Sequence, residues 1–133
     1  MGKKIDTLDI VCHSMGYAYA LGMIDVLKDS VTFGRFYIIA PENAESGGTD
    51  WNVFTEVWQY GSDEETLKNT PKLQDGVAPQ TKAKDLPKDR RVFIPYDVPQ
   101  GFLKSHSIGN YKWIFTKLTP TGTNSAGYVK PRN

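Results

Sequence analysis

At 133 residues the chain is one domain long, enough for a single core that buries roughly two-thirds of the unfolded surface. Its 16 Lys and Arg nearly balance 15 Asp and Glu, so no global field exists to hold nucleic acid or an acidic membrane. With 39% hydrophobic residues and one cysteine, Cys12, the composition excludes charge-driven disorder, an internal disulfide framework and a zinc site built on paired cysteines.

In chain order, Met1-Gly2-Lys3-Lys4 is followed by Ile5-Asp6 with no apolar run, so the start does not read as a secretory signal. Leu8, Ile10 and Val11 mark a short strand over 7–12, and Tyr17, Ala20, Leu21, Ile24 and Leu27 recur at helical spacing from Met15 to Leu27, with Asp29-Ser30 as the stop. Phe36 to Ala40 is continuously apolar, as expected of a strand covered on both faces, and Pro41 ends it. The stretch 41–50 reads as a loop, with Thr49-Asp50 capping a helical turn at Trp51 to Phe54. Glu56 to Tyr60 is a third strand, 63–87 is polar and turn-rich, and Arg91 to Pro95 is a fourth strand. A loop over 97–105 leads to an amphipathic helix from Ile108 to Leu118. No apolar run is long enough to span a bilayer. Strands separated by helices or long crossovers point to an α/β fold, with a mostly parallel sheet of about four strands flanked by helices. Residues 1–118 form the domain and 119–133, punctuated by Gly and Pro, a flexible C-terminal tail.

The segment that carries chemistry is Asp9-Ile10-Val11-Cys12-His13-Ser14-Met15-Gly16-Tyr17-Ala18. An apolar strand runs into Ser14 and a helix starts at once, with small residues two before (Cys12) and two after (Gly16) letting strand and helix approach. This is the arrangement of the nucleophile elbow, G-x-S-x-G, with Cys12 in place of the first glycine. The turn sets a serine hydroxyl at the carboxyl end of a strand and the N-terminus of a helix, where the Met15 N–H and the helix dipole favour a developing oxyanion. A serine that merely caps a helix is the bland alternative for Ser14.

With V-C-H-S-M-G at the elbow and a helix rich in small residues behind it (Ala18, Ala20, Gly22), the chain resembles the α/β-hydrolase family, in particular its lipase and esterase branch. The resemblance implies a triad in the chain order serine, acid, histidine. His13 adjoins Ser14 on an extended segment and should point to the opposite face, which leaves His106, between the last strand and the last helix, as the base. For the acid, Leu73-Gln74-Asp75-Gly76-Val77 resembles the family's acid-bearing turn, so Asp75 is the first choice; Asp63, nearer the third strand, is the second, and Glu42 and Asp50 in the loop after the second strand are the third. The implied reaction is hydrolysis of a small-molecule or lipid acyl ester, with no cofactor. Asp63-Glu64-Glu65 lacks calcium-loop spacing, and no metal site is expected.

The resemblance covers the C-terminal half of the family's fold, from the elbow strand onward, so the partial sheet has no counterpart of the loop that supplies the second oxyanion donor. It also leaves one edge of the first strand open, an invitation to a homodimer or to a missing N-terminal half. A truncated, inactive hydrolase-like domain acting as an oligomerisation or partner-binding module is therefore the alternative function. Localisation stays open, with the cytoplasm favoured for a chain that is complete.

Overall fold

A computed structural model describes residues 7–60, 81–87, 90–92, 106–112 and 114. Strand β1 (Thr7–His13) is followed by helix α1 (Gly16–Leu27), strand β2 (Thr32–Ile39), strand β3 (Glu56–Tyr60) and the short strand β4 (Arg91–Val92). The four strands lie in the order β1-β2-β3-β4, and every neighbouring pair is parallel. This is the expected small α/β arrangement with a parallel sheet. Parallel order places the carboxyl ends of successive strands along one edge of the sheet, which is where ligands bind in open α/β folds.

Several elements differ from their sequence expectation. Strand β2 starts at Thr32, four residues before the apolar run at Phe36. The crossover from β2 to β3 carries two 3₁₀ turns, Ala44–Ser46 within the stretch expected to be a loop and Trp51–Val53 where a helical turn was expected. The second turn is capped as expected, with the Asp50 carboxylate accepting from the Asn52 N–H at 3.1 Å. Towards the C-terminus a 3₁₀ turn spans Ile108–Tyr111, and Lys112 and Ile114 are helical. The remainder of the expected helix to Leu118, the fourth strand beyond Val92 and the tail 119–133 lie outside the described residues.

Two clusters fill the faces of the sheet. On one side Ile10, Cys12, Phe36, Ile38 and Val57 meet Tyr17, Ala20 and Ile24 of α1, with Trp51, Phe54, Ala83 and Leu86. On the other, Tyr37, Ile39, Trp58 and Tyr60 meet Tyr111 and Ile114. Residues Phe36 to Ala40 are buried throughout, which is why their sequence shows no alternation. Tyr17, Trp51 and Trp58 are core residues. Segment 81–87 is tied down by the fully buried Gln59, whose Nε2 donates to the Thr81 carbonyl at 2.7 Å and whose Oε1 accepts from the Ala83 N–H at 2.8 Å.

The β1–β2 register slips between Leu8 and Ile10, where Gly34 and Arg35 together face Asp9. That is a bulge on β2. The N–H of Arg35 is met by the Asp9 carboxylate at 2.7 Å, and a methyl group on Gly34 would collide with that carboxylate. Gly34→Ala should force Asp9 out of its hydrogen bond and cost about 1–2 kcal/mol. Denaturant titration measures this, and a midpoint equal to wild type would mean that the bulge does not depend on Asp9.

Candidate functional site

β1 ends at His13 and α1 begins at Gly16, so the chain reverses within Ser14 and Met15. Ser14 has φ 58°, in the left-handed region that costs a non-glycine residue free energy. The surroundings hold it there. Its N–H donates to the Ile39 carbonyl at 3.1 Å, and its carbonyl accepts from Tyr17 N–H at 3.2 Å and Glu42 N–H at 3.3 Å. The strained strand-to-helix serine is the conformation that the elbow pattern requires. Gly16 is less constrained: a methyl there would lie 3.9 Å from the Cys12 Cβ, an ordinary contact. Close approach of helix to strand therefore rests on the small side chain of Cys12. Burial pushes the Cys12 thiol up to about 12, with a backbone hydrogen bond involving Ile39 acting against that rise. The thiol stays neutral and serves as a small apolar filler.

The Ser14 side chain does not cap α1, whose N-terminus has no side-chain cap. Its Oγ lies 2.9 Å from the Nε2 of His106, 92 residues away in sequence. The same Oγ donates to Glu42 Oε1 at 2.9 Å. The hydroxyl has one proton and faces two acceptor groups, so donation to Glu42 obliges His106 Nε2 to carry its own proton, and donation to His106 leaves Glu42 to accept elsewhere. All three side chains are half-buried. Ala40 and Asn43, on either side of Glu42, also have positive φ, 42° and 47°. This tight double turn after β2 brings Glu42 back over the end of β1.

His13 and His106 sit with their ring centroids 5.0 Å apart. The Nε2 of His13 bonds the backbone carbonyl of His106 at 2.6 Å. His13 alternates with the buried Cys12 along β1 and so lies on the sheet face away from α1; expected to point away from Ser14, it instead packs against the imidazole that meets the serine. Its contact with His106 is not legible in the sequence. Met15 is 71% exposed, and among the described residues its N–H has no hydrogen-bond partner, which leaves it available at the α1 N-terminus.

Of the expected site residues, Ser14, His106 and Met15 thus come together at the carboxyl edge of the sheet. Asp75 and Asp63 lie outside the described residues. Asp50 caps a 3₁₀ turn instead. Glu42, a third choice for the acid, enters the site on the serine. The signal for it was its position just after β2, because loops that follow adjacent parallel strands emerge side by side. No cluster of three or more His, Cys, Asp or Glu suited to a metal occurs among the described residues, and none of their helices is long and apolar enough to cross a membrane. The chain matches no protein-family model, no curated protein and no solved structure.

Proposed function

We propose that the chain is a serine hydrolase of esterase or lipase type. The observation that carries this is the 2.9 Å approach of His106 Nε2 to the Oγ of a serine with left-handed backbone. Ser14 Oγ adds to an ester carbonyl while its proton passes to His106 Nε2. The oxyanion forms beside the Met15 N–H at the start of α1. The C–O bond to the alcohol then breaks and the alcohol leaves with the proton from His106. A water activated by the same imidazole adds to the acyl-enzyme and frees the acid. The group that fixes the imidazole tautomer is assigned, by resemblance, to Asp75, with Asp63 as the next choice. No cofactor takes part.

The test is labelling with a fluorophosphonate, read by intact-protein mass. One adduct on the wild-type chain, absent in Ser14→Ala, is expected; a folded wild-type chain that takes no label would overturn the hydrolase assignment.

A second function, an oligomerisation or partner-binding module, is favoured by the outer surface. There Tyr19 and Val26 are each 78% exposed. They line an apolar groove of about 440 Å³ on α1 with Ala18, Gly22, Met23 and Leu27, and among the described residues β1 pairs on one side only. A homodimer mass in solution together with absent labelling would support it.

A further inference from the structure

We propose that His13 is a positioning residue that clamps the base His106 against Ser14. This rests on the assignment of Ser14 and His106 as nucleophile and base. Two consecutive residues at the end of β1 hold the two ends of one histidine: Ser14 Oγ meets the His106 ring at Nε2, 2.9 Å away, and His13 Nε2 meets the His106 carbonyl at 2.6 Å. A carbonyl only accepts, so His13 Nε2 carries a proton and donates. The rings also pack at 5.0 Å with an interplanar angle of 49°, so His13 touches both the backbone and the ring of His106. The dipeptide that supplies these contacts is itself anchored, with His13 in register with Ile39 and the Ser14 N–H on the Ile39 carbonyl. His106 arrives from 92 residues downstream, and its reach to the serine depends on where its backbone is fixed. His13 fixes it from the same rigid strand end that presents the nucleophile, so the distance between nucleophile and base is set by one local unit.

The test compares three substitutions by the rate of fluorophosphonate labelling at Ser14. His13→Leu removes the donor and is expected to slow labelling about 100-fold, the penalty for misplacing a reacting group by about 1 Å. His13→Gln carries an amide N–H at nearly the position of Nε2 and is expected to restore most of the rate. His13→Asn is too short to reach the carbonyl and should behave as His13→Leu, which keeps the comparison intact if the leucine variant does not fold. A packing role alone would lower thermal stability in all three without separating Gln from Asn in rate, and that result would overturn the clamp. A wild-type chain that takes no label would instead overturn the hydrolase assignment. The clamp is then decided by imidazole ¹⁵N NMR, where the two histidines give two sets of signals. A protonated Nε2 on His13, and His106 ring signals that move in His13→Asn but not in His13→Gln, are expected. His106 signals indifferent to both substitutions would overturn the clamp.

Discussion

His106→Ala is expected to slow fluorophosphonate labelling of Ser14 by about 10⁴-fold, the usual loss when a serine loses its imidazole base. Glu42→Gln is expected to leave the rate within about tenfold of wild type, the range of an electrostatic neighbour rather than a base. The pair matters because Ser14 Oγ stands 2.9 Å from both groups. A carboxylate is the weaker base, and a proton resting toward Glu42 is not on its way to a leaving alcohol. The glutamine amide can donate to Oγ and turn the hydroxyl proton toward His106. If Glu42→Gln abolished labelling while His106→Ala retained it, the proton would pass to the carboxylate and the imidazole would be a bystander. Rates compared over pH 6–9 on folded variants decide between these outcomes.

Phe36→Ala is expected to destabilise the fold by about 3–5 kcal/mol, the cost of deleting a fully buried aromatic ring. Phe36 has no exposed surface. Its ring lies 5.2 Å from that of Phe54 and 6.2 Å from that of Trp51. It sits on the central part of β2, in the cluster that also holds Tyr17, Ala20 and Ile24 of α1 and Trp51 of the 3₁₀ turn, so its loss opens a cavity in the core. For a domain of this size the melting temperature should fall by about 10–20 °C. A fall under about 5 °C by circular dichroism would show that this cluster is not what holds the sheet to its helix. His106 and Ser14 are no part of the cluster around Phe36, so labelling measured well below the melting point should survive the substitution.

The parallel α/β arrangement was legible because its signals are local. A buried parallel strand must be apolar on both faces, and Phe36 to Ala40 says so directly; a strand that turns at once into a helix needs a small residue where the two approach, and Cys12 supplies it. The boundaries of β2 and the 3₁₀ turn at Ala44–Ser46 were not legible. The bulge at Gly34-Arg35 depends on the Asp9 carboxylate from another strand, and the 81–87 segment depends on the buried amide of Gln59. A polar glutamine in a strand gives no hint that it will be sealed inside.

The site divides along the same line. By itself the sequence determined the strand-to-helix turn at Ser14, because backbone sterics at such a turn act over a few residues. Only the tertiary structure decided which of the candidate partners reach the hydroxyl. Glu42 reaches it because the double turn after β2 folds back over the end of β1, and His13 reaches the His106 carbonyl because a segment 93 residues away returns to the same sheet edge. Such contacts are set by the packing of distant segments on the sheet; Glu42's place just after β2 hinted at one of them, and nothing within the chain signalled that of His13.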